Sequence, residues 1–132
     1  MSPRFDLIGT VVTDMARTLD FYRRLGLEIP PDADRQDHVE VTLPSGLRLA
    51  WDTVAVVRGY HPDWAPPSGD PRTHLAFRCA DPAEVDRCWT ELTDAGFHGE
   101  LPPWDAGWGQ RYAVLHDPDG VGVDLFAALD GG

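Results

Sequence analysis

One order of elements occurs twice along this chain. An apolar run, Phe5 to Val12 (FDLIGTVV), reads as a strand, and Asp14 stands where a helix N-cap belongs. Met15, Leu19, Tyr22 and Leu25 then recur at helical spacing until Gly26 stops the helix. Three short strand candidates follow, at 27–29 (LEI), 38–43 (HVEVTL) and 47–54 (LRLAWDTV), with PSG at 44–46 as the turn between the last two.

The second half repeats this order, offset by about 67 residues if Leu7 is matched with His74. Residues 72–79 (RTHLAFRC) read as a strand; Asp81, Pro82 and Glu84 supply an N-cap, a first-turn proline and a capping-box acid. Val85, Cys88, Trp89 and Leu92 form an apolar stripe that Gly96 ends, and strand candidates resume at 97–101, 111–116 and 121–127, with DPDG at 117–120 as a turn. The chain is therefore expected to be one α+β domain over 1–132. It would hold two βαβββ modules at about 5–55 and 72–127, a Pro/Gly-rich linker over 56–71, and a closing GG tail.

Charge narrows the partners. The formal net charge is -11; all 11 basic residues are Arg, and the acids are 17 Asp and 5 Glu. Such a surface repels phosphate backbones, so nucleic acid is not an expected partner, whereas a cationic small molecule would be attracted. The absence of Lys removes Schiff-base chemistry. Cys79 and Cys88 are too few for a disulfide scaffold and are expected to act as small apolar residues. No apolar run has membrane-spanning length and the N-terminus lacks a signal peptide's apolar stretch, so a cytoplasmic protein with no membrane partner is expected.

Three phrases carry a resemblance: IGTVVTDMARTLDFYRRLGLEI at 8–29, HLAFRCADPAEVDRCWTELTDAGF at 74–97 and DPDGVGVDLF at 117–126. In this order and spacing the chain resembles the vicinal oxygen chelate superfamily, which contains glyoxalase I, extradiol dioxygenases, fosfomycin-resistance enzymes and bleomycin-resistance proteins. The resemblance implies that the sheets of the two βαβββ modules curl into one open cavity, often within a homodimer. In metal-using members it also implies four ligands in that cavity. They are His or Gln near the start of the first strand, Glu late in the first module, His opening the second module, and Glu after the DPDG turn.

The corresponding residues here are Leu7, Ala50, His74 and Asp124; a shift of two residues along the third strand of the first module would offer Asp52 in place of Ala50. Leu and Ala have no lone pair to give, and a catalytic zinc usually keeps three protein ligands plus water. His74 and Asp124 are the residual metal candidates, and no metal or other cofactor is expected. Alternation along the strands puts His74 with Ala76 and Asp124 with Gly122 and Phe126, opposite Leu75, Phe77, Val123 and Leu125. If those apolar residues pack under helices, His74 and Asp124 both face the cavity. As a pair there, they could orient a ligand or act as a metal-free general base.

Trp51 and Trp89 read as core residues. Trp64, Trp104 and Trp108 sit in Pro/Gly-rich stretches that read as loops bordering the cavity, as ligand-stacking walls or as dimer and barrel-end contacts. Loss of two ligands together with loop tryptophans resembles the metal-free, antibiotic-binding branch of the superfamily. The function expected is sequestration of an aromatic or polycyclic antibiotic-like molecule without chemistry, by a homodimer. Trp64, Trp104 and Trp108, with Tyr60 and Tyr112, would form the walls; His38, His74 and Asp124 the polar contacts; Leu7 and Ala50 an apolar floor. The alternative is an enzyme of the same fold, metal-dependent or using His74 as base; a domain with no small-molecule role is a third.

Overall fold

In the computed structural model, residues 2–129 are described; the closing glycines lie outside them. The elements run β1 (Leu7–Val12), α1 (Met15–Arg24), a 3-10 turn (Pro31–Arg35), β2 (His38–Thr42), β3 (Arg48–Thr53) and α2 (Val54–Tyr60). They continue with β4 (His74–Arg78), α3 (Pro82–Asp94), β5 (His98–Ala106), β6 (Gln110–His116) and β7 (Gly122–Ala128). The fold is α+β, built of two modules of the βαβββ kind. The chain forms two units, one with residues up to Arg23 and Leu27–Pro67, the other with Arg24–Gly26 and the chain from Ser68 onward.

The first unit has a three-stranded sheet ordered β1-β3-β2, with β1 parallel and β2 antiparallel to β3. Asp14 caps α1 as its sequence position suggests, accepting from the Arg17 N–H at 3.1 Å. The helix buries Met15, Leu19 and Tyr22, and the Tyr22 ring meets Trp51 of β3 at 5.3 Å. Trp51 is thus a core residue, and the side of β3 carrying Leu49 and Trp51 faces the helix.

The strand expected over 27–29 does not form. The Arg23 guanidinium instead donates to the carbonyls of Ile29 at 3.0 Å and Pro30 at 2.7 Å, and Pro30 and Pro31 have no N–H to give a ladder. The start of the expected linker is helical: Thr53 caps α2, accepting from the Val56 N–H, and Val57 is buried. A short apolar stretch after a strand does not distinguish further strand from one helical turn.

The second unit is a four-stranded sheet ordered β4-β7-β6-β5, with β4 parallel to β7 and the other pairs antiparallel. The α3 start carries its caps in full. Asp81 accepts from the Glu84 N–H at 2.9 Å, and the Glu84 carboxylate reaches back to the Ala80 N–H at 2.9 Å. Val85 and Leu92 of α3, with Leu115, Val123 and Leu125 of the sheet, are fully buried. Gly99 marks the helix-facing side of β5, because a β-carbon there would meet the Trp89 ring at 2.3 Å. The DPDG turn is closed by Asp117, whose Oδ1 accepts from the N–H groups of Asp119 and Val121.

β5 is longer than the sequence suggests. It continues through Leu101-Pro102-Pro103 to Ala106, with register shifts against β6 on either side of Leu101. An edge strand tolerates prolines that a central strand would not. Trp104 therefore stands on a strand and not in a loop, while Trp108 stays in the turn between β5 and β6. Among the described residues no helix is long and apolar enough to cross a membrane.

Candidate functional site

The chemistry-bearing residues of the second unit lie on the sheet face away from α3. Register aligns His74 with Gly122, Ala76 with Asp124, and Arg78 with Phe126; Phe126 in turn pairs with Tyr112, and Tyr112 with Trp104. On the opposite face, Arg111 donates to Asp86 of α3 at 3.0 Å, as the alternation requires.

His74 and Asp124 pair. Nδ1 of the imidazole is 2.7 Å from Oδ1 of the carboxylate, and Asp124 is 8% exposed. The second carboxylate oxygen accepts a hydrogen bond from the Tyr112 hydroxyl. With Nδ1 committed to Asp124, Nε2 is the ring nitrogen directed away from the carboxylate. Burial, and then the hydrogen bond to Asp124, push the Tyr112 phenol up to about 12. The phenol therefore stays a donor over the physiological range.

Gly122 makes this arrangement possible. A β-carbon at that position would lie 2.5 Å from His74 Nδ1 and 2.7 Å from its Cγ. The imidazole lies across the strand where no side chain stands.

Trp104, Trp108 and Tyr112 form one aromatic cluster with edge-to-face contacts. Ring centroids are 6.1 Å apart for the two tryptophans, 5.5 Å for Trp104 and Tyr112, and 5.4 Å for Trp108 and Tyr112. Trp108 is 62% exposed, and its indole N–H donates to Gln110 at 2.9 Å. The row ends with the Arg78 guanidinium 5.8 Å over the Phe126 ring, beside an open depression of about 580 Å³ that Gln110 and Ala128 help to line.

In the first unit, Leu7, Ala50 and His38 share the sheet face away from Trp51. Gly9 is aligned with Ala50 and Ala50 with Glu40, while His38 faces Asp52. His38 is held by two carboxylates, Asp52 at 2.5 Å on Nδ1 and Glu40 at 2.9 Å on Nε2, and Arg48 bridges Glu40 and Asp6. The Asp52 hydrogen bond, followed by that to Glu40, raises the His38 pKa. Tyr60 ends α2 and is 74% exposed; Trp64 follows, its carbonyl accepting from Arg58.

The superfamily's metal positions do not fit a divalent ion. Leu7 and Ala50 offer no donor atom, and Asp52 is engaged by His38. In the second unit, Asp124 already accepts from Tyr112 and contacts His74. Even with the Asp124 carboxylate counted beside His74, two donors fall short of the three protein ligands a catalytic zinc usually keeps.

Sequence reasoning placed His74, Asp124 and Tyr112 among the site residues and anticipated the pairing of His74 with Asp124; the hydrogen bond from Tyr112 and the clearance at Gly122 it missed. The signal for Gly122 was a glycine inside an otherwise apolar strand, which marks close approach of another group. The charged chain through Asp6, Glu40, Arg48 and Asp52 left one local trace, His38 and Glu40 two apart on a strand.

Comparison with known proteins agrees with this fold. A crystal structure of a glyoxalase/bleomycin resistance protein/dioxygenase from Nocardioides is similar with TM-score 0.71 at 24% identity, covering 100% of this chain and 87% of that one. A family enzyme of the same description from Burkholderia phytofirmans PsJN gives TM-score 0.77 at 15% identity, covering 96% and 100%. A glyoxalase/dioxygenase from Nostoc punctiforme gives 0.68 at 23%, covering 96% and 92%. At such identities these likenesses speak for fold alone. No curated protein matches the sequence. The sequence model of the Glyoxalase/Bleomycin resistance protein/Dioxygenase superfamily matches residues 4–125, and the chain belongs to that superfamily.

Proposed function

We propose that this protein binds an aromatic, antibiotic-like small molecule and holds it unchanged, as a self-resistance protein would. The observation that carries this reading is the aromatic cluster of Trp104, Trp108 and Tyr112 on the same sheet face as the buried Asp124 and its His74. Edge-packed rings keep one another in place, so a planar ligand would meet a surface already ordered. Burying about 300 Å² of apolar ligand at roughly 25 cal/mol/Å² is worth on the order of 7 kcal/mol before association costs. A net charge of -11 favours a cationic ligand. Leu7, Ala50, His38, Tyr60 and Trp64 belong to the proposal as first-unit contacts, and a homodimer and cytoplasmic location go with it.

Tryptophan fluorescence titrated with planar cationic antibiotics tests this. The expected result is saturable quenching that Trp104→Ala and Trp108→Ala weaken, with the ligand recovered intact. Absence of any response across the panel would count against binding.

One observation favours a second reading. Asp124 fixes the tautomer and orientation of His74 in the way a general base is held, which suits a metal-free enzyme. Chemical change in the recovered ligand, abolished by His74→Gln, would select this reading over sequestration.

A further inference from the structure

The edge of the second sheet carries a cluster that neither the family's ligand positions nor the aromatic row uses. His98 and Glu100 stand two apart on β5, and His116 of β6 is the cross-strand partner of His98. Gly99, between the first two, points at Trp89 of α3, so His98 and Glu100 leave the opposite face. One nitrogen of each imidazole and one oxygen of Glu100 all lie within 4.8 Å of one another. His98 Nε2 is 2.7 Å from Glu100 Oε2, and His116 Nε2 is 3.8 Å from the same oxygen.

The imidazole rings are 5.1 Å apart, and the Nε2 atoms of both approach the same carboxylate oxygen. Two imidazoles and a carboxylate converging from adjacent strands are a donor set that a borderline-soft divalent cation accepts. The first unit supplies a contrast, because His38 and Glu40 have the same spacing on a strand. There Arg48 sits 2.7 Å from Glu40 and Asp52 takes the other nitrogen of His38, so a guanidinium already supplies the positive charge. Among the described residues, the charged partners of Glu100 are the two histidines alone.

We propose that His98, Glu100 and His116 form a binding site for a divalent transition metal of the zinc class, with three protein ligands and a remaining position open to solvent. Donors around a tetrahedral zinc lie roughly 2.0–2.2 Å from the ion and so about 3.3–3.6 Å from one another, which requires the 2.7 Å contact of His98 with Glu100 to open and His116, at 3.8 Å, to draw in slightly. The His98 and Glu100 side chains are 61% and 43% exposed and can rotate to do so. His74, Gly122, His116 and His98 are successive partners across the four strands. His74 is committed through Nδ1 to Asp124 and is not counted among the ligands. The site stands independently of the small-molecule reading.

Titration calorimetry of the chelator-treated full chain with ZnCl2 tests it, alongside the imidazole proton resonances. The expected result is one Zn²⁺ per chain, with His98 and His116 resonances moving on addition. His116→Gln and Glu100→Gln should each weaken binding about tenfold or more, and His61→Gln, at a histidine of the first unit, should leave it unchanged. The proposal is overturned by no stoichiometric uptake, by uptake that survives a His98→Gln/His116→Gln double variant, or by wild-type resonances of these two rings that stay put.

Discussion

The imidazole of His74 lies over the α-carbon of Gly122, with room for a hydrogen there and not for a methyl group. Gly122→Ala should therefore force His74 off Asp124. Gly122 has no positive φ, so the backbone itself accepts alanine and the effect is steric. A loss of about 1–3 kcal/mol is expected from the overpacked contact. Denaturant unfolding and the His74 ring resonances check this; a variant of unchanged stability with an undisturbed His74–Asp124 contact contradicts it.

Tyr112→Phe removes the hydroxyl that donates to the nearly buried Asp124 carboxylate. About 1–3 kcal/mol should be lost, the cost of leaving one side of a charged acceptor unmet. The wild-type phenol, pushed up to about 12, also sets a sign. Between the ordinary tyrosine value near 10 and about 12, the unfolded chain has lost this proton and the folded chain has kept it. Stability should therefore fall as pH rises through that window. In Tyr112→Phe that component of the alkaline slope should be absent, as pH-dependent unfolding will reveal.

His38 should titrate above the usual histidine range, chiefly through its hydrogen bond to Asp52. The protonated form is the one favoured in the folded state. The stabilisation is thus complete below the unfolded value near 6.5 and disappears as pH rises through the raised folded value. Asp52→Asn should bring the His38 midpoint down in an NMR titration; an unmoved midpoint would show that Asp52 is not the cause.

The Cys79 thiol is 6% exposed, and burial first, then the neighbouring Cys88, pushes it up to about 12. At pH 8 almost none of it is thiolate, so alkylation by iodoacetamide should be far slower than for a free thiol. Mass spectrometry of the native and the denatured chain separates the cases. Equal labelling of Cys79 in both would refute the assignment.

The sequence alone determined the elements whose signals are local. Asp14 and Asp81 announced two helix starts, and Gly26 and Gly96, both with positive φ, their ends. Alternation along the strands already put His74 and Asp124 on the face opposite Leu75 and Val123. Local signals failed where a distant side chain or an edge position decided the outcome. Arg23 took the carbonyls that a strand at 27–29 would have needed, and the sheet edge let β5 run on through Pro102 and Pro103. Which residues meet across strands was decided only in three dimensions. Alternation names a face, but register names the neighbour, and register is fixed by pairing between segments far apart in the chain. That is why the contact of His74 with Gly122, the hydrogen bond from Tyr112 to Asp124 and the meeting of His98 with His116 needed the folded sheet to become visible.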